Sequence, residues 1–328
     1  MHGDGNSRSH IRYNPFDLQI ILLFERSFCF MKYKLTIALI TMNRAEQLRS
    51  ALESCAASNL PKETEFVVVD NGSTDNTEAV AEQFKATTPY NFKYHKEPVN
   101  LGAGLGRNVC CELAEGEYIF ILDDDAEISA DCREHFFTDA IAYMDQNPSV
   151  WALTTDIVDK VFGERRLATS KTVEINGLKS VYSFHEGTVF FRTELLYSPL
   201  YMDIKYGCEH LSVSAIMRDK GYYVVFDPKL RIDHNPIVDN RRQVDREQII
   251  VLGASNTYMI KKVCYPRICT PLLWLAYVKR LKNGKVTSKE LLKKYKDIRK
   301  DFCHKNKIKK IKLRTVIRSY KEFGLAVF

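Results

Sequence analysis

Ile119-Phe120-Ile121-Leu122-Asp123-Asp124-Asp125 is an unbroken apolar run that ends in three adjacent carboxylates. A short apolar run with abrupt polar bounds reads as a strand buried on both faces, which is typical of largely parallel sheets covered by helices. The same alternation extends on either side of it. From Lys34, β-rich runs at 35–40, 66–69, 92–95 and 118–122 alternate with helical patterns at 46–55, 77–84 and 107–114, as βαβ units do. Asn76 or Asp75 is placed to cap the second of these helices. In open α/β sheets ligands bind outside the carboxyl ends of strands. Polar clusters follow three of those ends: Thr41-Met42-Asn43-Arg44, Asp70-Asn71-Gly72-Ser73-Thr74-Asp75, and Asp123-Asp124-Asp125.

Further along, a helix is expected at 132–145, strands at 152–158, 188–192 and 222–226, and a helix at 211–220. Residues 240–328 read as mainly helical, with a break at Tyr265-Pro266 and a turn at Asn283-Gly284. No internal repeat is visible. With 328 residues, 45% of them hydrophobic, the chain can bury a large core. Its nine cysteines include no C-x-x-C pair, so they read as free thiols of a reducing cytoplasm rather than a zinc site or disulfide framework.

The net charge of +7 hides an asymmetry. Residues 261–328 hold 21 Lys and Arg against 4 Asp and Glu, which leaves the rest of the chain acidic. Such a tail suits an anionic membrane surface, with a solvated lysine-rich face as the plainer alternative, and nucleic acid is not expected. No run reaches the roughly 18 to 20 apolar residues that a spanning helix needs. Residues 271–278, flanked by Arg267, Lys279 and Arg280, can instead lie in an interface with Trp274 and Tyr277 at headgroup depth. Residues 1–30 lack signal-peptide features. With Met31 just before the first strand, they read as a loose extension or a start-site artefact.

Three adjacent carboxylates repel one another, and a hard divalent cation, Mg or Mn, relieves that repulsion through oxygen ligands. A solvated Asp-rich turn is the alternative. His234, in Arg231-Ile232-Asp233-His234-Asn235-Pro236, reads as a loop histidine, either a surface residue or a second metal ligand. Tyr206-Gly207-Cys208-Glu209-His210-Leu211 uses a glycine turn to deliver Glu209 to a helix start, where an acidic residue also suits the helix dipole. Gly102-Ala103-Gly104-Leu105-Gly106-Arg107 is spaced G-x-G-x-G rather than G-x-G-x-x-G. It reads as a flexible loop leading into a helix whose Arg107 can face a base or a diphosphate.

Together these runs resemble family-2 glycosyltransferases of the GT-A fold across residues 33–240. The resemblance is carried by residues 36–44, V-V-V-D-N-G-S-T-D at 67–75, residues 100–108, E-G-E-Y-I-F-I-L-D-D-D-A-E at 115–127, E-G-T-V-F-F-R at 186–192, and residues 206–222. It implies an α/β, Rossmann-like mixed sheet flanked by helices. A nucleotide-sugar half (33–127) and an acceptor half (128–240) would follow an extension at 1–32 and precede a helical basic region at 241–328. The implied activity is metal-dependent, inverting transfer of a sugar from a nucleotide sugar to a glycan or lipid-linked saccharide. The setting would be bacterial polysaccharide biosynthesis in the cytoplasm, peripheral to the inner face of the membrane.

The resemblance also assigns roles. Asp70 and its neighbours would hold the nucleobase, Arg107 would face it, and Asp123 would contact the ribose. The donor-binding set is Thr41, Asn43, Arg44, Asp70, Asn71, Arg107, Asp123 and Asp124, and the metal set is Asp125, Asp123 and His234. Three positions depart from the family pattern: Met42 replaces a base-stacking tyrosine, Asn71 a second aspartate, and His210 the aspartate expected as catalytic base. Glu209 is therefore expected to deprotonate the acceptor hydroxyl, with His210 as its rival, while a metal neutralises the leaving diphosphate. Phosphatases of the haloacid dehalogenase type also place D-x-D after an apolar strand, but they need Thr or Val where Glu127 stands. A non-catalytic nucleotide- or glycan-binding protein is the remaining alternative.

Overall fold

The computed structural model describes residues 31–159, 163–164, 167–196, 199–204, 207–236 and 246–328. The apolar run becomes β4 (Gly116–Asp123), which pairs in parallel with β1 (Tyr33–Thr41). On its other side β1 pairs in parallel with β2 (Thr64–Asp70), and β2 with β3 (Asn91–Lys96). Beyond β4 the sheet becomes mixed. β10 (Thr188–Arg192) lies antiparallel between β4 and β6 (Val150–Asp159), and β6 runs parallel to β11 (Tyr223–His234). The strand order is β3-β2-β1-β4-β10-β6-β11-β9-β8, with β5 (Ala126–Ile128) on β11 and β7 (Gly163–Glu164) on β6. β8 (Thr169–Ile175) and β9 (Leu178–Val181) form an antiparallel hairpin. Asn176 and Gly177 at its turn both have positive φ, 44° and 86°, as a two-residue hairpin turn requires.

Helices cover both faces. α1 (Ala45–Ala56), α2 (Thr77–Thr87) and α4 (Phe136–Gln146) bury Leu48, Leu52, Val80, Phe136 and Phe137 against one side. α3 (Ala103–Leu113) and α5 (His210–Lys220) bury Cys110, Cys111, Val213 and Met217 against the other. A third core joins Tyr182, Ile204 and Leu211 to α6 (Arg246–Cys264), α7 (Thr270–Asn283), α8 (Lys289–Lys305) and α9 (Leu313–Phe323). The expected break and turn fall where α6 ends before Pro266 and where α7 ends at Asn283.

Several expectations need correction. Residues 103–106 are the first turn of α3, not a flexible loop. Their glycines serve close packing: a Cβ on Gly106 would lie 2.1 Å from the Ile40 side chain, and one on Gly104 would lie 3.2 Å from Glu209. α4 starts at Phe136, after a turn over 132–135. The strand expected at 222–226 continues to His234 past Pro228, with a register shift between Asp227 and Arg231 that accommodates the proline. His234 is thus a strand residue rather than a loop residue. At α2, Asn76 holds the cap position without a side-chain bond, and Asp75 accepts from the Thr77 amide at 3.1 Å. All eight described cysteines are free thiols, and no described helix is long and apolar enough to cross a membrane.

Candidate active site

The carboxyl end of β4 delivers Asp123, Asp124 and Asp125, and the protein's own cations disperse their charge. Arg107, buried on α3, donates from Nη2 to Asp123 Oδ1 at 2.6 Å. Arg44, at the start of α1, donates from Nη1 to Asp124 Oδ1 and Asp125 Oδ2, each at 2.8 Å. Thr41 Oγ1 donates to Asp124 Oδ2 at 2.8 Å. Burial, opposed by Arg44, pushes the Asp124 carboxyl up to about 6. Asp125 is held below the ordinary carboxylate range: burial opposes that shift, and His234 with Arg44 outweighs it.

His234 bridges two carboxylates. Its Nε2 lies 3.3 Å from Asp125 Oδ1 and its Nδ1 lies 2.8 Å from Asp159 Oδ2 at the end of β6. An imidazole whose Nδ1 rests on a carboxylate while Nε2 faces another oxygen donor is arranged as metal-ligating histidines are. Asp125 and His234 would therefore be the residues to hold a divalent cation. Asp123, turned to Arg107, stands apart from that pair, and no group of three or more His, Cys, Asp or Glu forms a metal cluster among the described residues. A recess of about 180 Å³ opens beside Asp124 and Asp125, lined also by Glu46, Gln47, Glu127 and Asn235.

The nucleobase candidates are knit into one another. Asp70 is fully buried, accepting from the Ser73 amide at 2.7 Å and from the Tyr94 hydroxyl at 2.5 Å. Asn43, at φ 52°, accepts from the Thr74 amide at 2.8 Å, and its own amide donates to Ser73 Oγ at 2.9 Å. Asn71 accepts from the Leu101 amide at 3.0 Å and donates to Asn100 and Gly102. These side chains shape the rim where the β1 and β2 ends meet. Arg107 pairs instead with Asp123.

The second group forms around Gly187, which precedes β10. Gly187 has φ +79°, and a Cβ there would fall 2.0 Å from the Asp123 carboxylate, so the Asp123 side chain lies directly over a residue that only glycine suits. Its neighbour Glu186 accepts from the His210 amide through Oε1 at 2.6 Å. His210 Nδ1 lies 2.8 Å from the same oxygen, without hydrogen-bond alignment. Glu209 Oε1 accepts from the Gly207 amide at 2.8 Å. Burial and the adjacent Glu186 raise the Glu209 carboxyl well above its usual range, whereas His210 and Arg107 hold Glu186 low against its own burial. The two carboxyls therefore titrate as a pair, with Glu209 pushed toward its neutral form and Glu186 toward its ionised one.

The turn carrying Glu209 is fastened from α6. Asn256 donates to the Gly207 carbonyl at 3.0 Å, and Cys208, at φ 73°, sets its Sγ 3.6 Å from Thr257 Oγ1. The structure therefore brings Arg107, Asp123, Glu209 and His210 together and adds Glu186 and Asp159, to which sequence reasoning gave no role. Glu186 stands in the quoted E-G-T-V-F-F-R run, and an acidic residue before a positive-φ glycine was its one signal. Asp159 gave none.

A profile described as glycosyl transferase family 2 matches residues 36–198. Over 118 residues the chain is 33% identical to the poly(ribitol-phosphate) beta-N-acetylglucosaminyltransferase TarS of Staphylococcus aureus, covering 35% of this chain and 20% of TarS. The match thus spans about a fifth of that relative's length. The structure of TarS 1–349 in complex with UDP-GlcNAc superposes with a TM-score of 0.60 at 20% identity, covering 87% of this chain and 83% of that one. A mannosyltransferase from Pyrobaculum calidifontis, in complex with GDP-Man and Mn2+, gives a TM-score of 0.56 at 17% identity over 95% and 92%. At these identities the superpositions establish the fold, which is GT-A.

Proposed function

Residues 36–198 belong to the family-2 glycosyltransferases, and on that premise we propose that this chain moves a sugar from a nucleoside-diphosphate sugar to a glycan or lipid-linked acceptor by a single inverting displacement. One observation carries the reading. At a single end of the sheet, Asp125 with His234 and the Glu186–Glu209–His210 group flank the Arg107–Asp123 ion pair. Similarity to proteins whose complexes contain UDP-GlcNAc, or GDP-Man with Mn2+, supports a nucleotide-sugar donor.

Asp125 and His234 would hold a divalent metal, Mg or Mn, with Asp159 orienting the imidazole. Bound there, the cation supplies Lewis-acid neutralisation of the diphosphate leaving group. Arg44 keeps Asp124 and Asp125 from repelling each other, and Arg107 fixes Asp123 over Gly187, where its free oxygen can take a ribose hydroxyl.

For the base, the geometry favours His210 over Glu209. Glu209 is almost fully buried, tied to its own turn, and keeps its proton. His210 is one-fifth exposed, and its Nδ1 rests on Glu186, which leaves Nε2 to accept the proton of an attacking hydroxyl. The acceptor would be reached at an anionic membrane surface through the basic region 241–328.

Thermal-shift measurements with UDP-, dTDP- and GDP-sugars, each with and without Mn2+, test the reading, because a ligand that binds the native state raises its apparent stability. One donor should raise Tm in a metal-dependent way, and the product should carry the inverted anomeric configuration. No shift with any donor overturns the proposal.

A further inference from the structure

α9 is inside out. Its buried residues are Thr315, Val316, Ser319 and Glu322, three of them polar. Leu313, Ile317 and Tyr320, spaced i, i+4 and i+7 along one stripe, are 42%, 49% and 47% exposed, and Leu325 just beyond is 69% exposed. Arg314, Arg318 and Lys321 flank the stripe. From residue 302 to 321 the chain carries eight Lys and Arg and no Asp or Glu.

The inversion is fixed by what the polar face touches. Glu322 pairs with Arg218 of α5, and Ser319 Oγ accepts from Arg218 Nε at 3.1 Å. Thr315 Oγ1 and the Lys312 amide donate to Asp219 at 2.6 and 2.9 Å, and Arg318 donates to the Arg218 carbonyl at 2.7 Å. Rotating α9 to hide its apolar stripe would leave the buried Arg218 without its carboxylate, which is strongly destabilising. The stripe therefore stays outward, and a surface that binds it must accept apolar side chains and cations together.

We propose that α9 is the element by which this protein docks on an anionic lipid bilayer, lying in the interface with Leu313, Ile317, Tyr320 and Leu325 inserted among the acyl chains and Arg314, Arg318 and Lys321 against the headgroup phosphates. This rests on the membrane reading of the basic region and assigns it to one face. A short helix with an apolar stripe, an aromatic hydroxyl and flanking cations has the chemistry of an interfacial anchor. A nucleic acid would engage the cations and leave the aliphatic side chains in water.

The test is co-flotation of the full chain with vesicles of phosphatidylglycerol and phosphatidylcholine, and with vesicles of phosphatidylcholine alone. Wild type should float with the anionic vesicles only, and more weakly at high salt. The combined variant Leu313→Ser, Ile317→Ser, Tyr320→Ser alters only exposed positions and should lower the partition coefficient about tenfold or more, with circular dichroism and donor-induced thermal shift unchanged. The variant Arg314→Glu, Lys321→Glu should abolish flotation. Wild type failing to float overturns the membrane reading itself. Flotation that survives both variants keeps that reading and overturns the assignment to α9. A dimer by light scattering that the serine variant converts to monomer, or retention of wild type on heparin together with no flotation, gives the stripe to a second copy or to a soluble polyanion and also overturns the proposal.

Discussion

Asp125 and Glu209 are both carboxylates withdrawn from water at the same end of the sheet, yet they sit in opposite electrostatic settings. Asp125 leaves a strand end beside Arg44 and His234, and these neighbours hold its carboxyl low against its burial. Glu209 arrives on a helix start beside another carboxyl and retains a proton. The first setting suits the proposed cation. The second is a carboxyl pushed toward its neutral form beside Glu186, which in turn accepts from the His210 amide. Two acidic residues at one end of the sheet are therefore driven toward opposite protonation, and the neighbours decide which.

The contrast can be broken experimentally. The largest effect is expected at Asp125→Ala, which removes a metal donor. Transfer should fall by about 10³-fold or more, since the Lewis-acid contribution is worth several kcal/mol, and Mn2+ should no longer increase the donor-induced thermal shift. His210→Ala should lower kcat by roughly 10² to 10⁴-fold, as loss of a general base does, while His210→Asp should recover part of it. If Glu209→Gln is the more damaging change and His210→Ala is mild, the roles drawn here are reversed. Asp159→Asn leaves both proposed ligands in place and should weaken Mn2+ affinity about 10- to 100-fold by titration.

The smallest effect concerns stability alone. Because the Glu209 carboxyl is raised in the folded chain, the native state keeps a proton that the unfolded chain releases. Its contribution is full below the ordinary carboxylate range and fades as pH rises through the elevated value. Glu209→Gln cannot release that proton, so its Tm should fall less than wild type's between pH 5 and 8. Parallel profiles would show that the proton is not held there.

The first part of the sheet was largely legible in the sequence because most of its strands are buried on both faces and bounded by turn-forming residues. The runs at 35–40, 66–69, 92–95 and 118–122 all became strands of the sheet, each extended by one or two residues at its ends. The hairpin at 169–181 carried an Asn-Gly turn signal that was passed over. Its strands are partly exposed and weakly patterned, so hydrophobic alternation gave little help. Within the site, the carboxylate run announced itself through adjacency. Glu186 and Asp159 act across 24 and 75 residues of chain, on His210 and His234, and such pairings leave no local trace. Arg107 was expected to meet a ligand, but the pleat and helix geometry that deliver it to Asp123 become visible only in three dimensions.

The anchoring of Gly207 by Asn256 has a bearing on modular engineering. Recombining this sheet with a different terminal module is tempting, since the matched family region ends at residue 198. A chimera joined between α5 and α6 would carry its own Glu209 and His210 without the amide that fixes the turn delivering them. The working unit for transplantation extends through α6, and through α9 if the far end of α5 is to keep its charge partner.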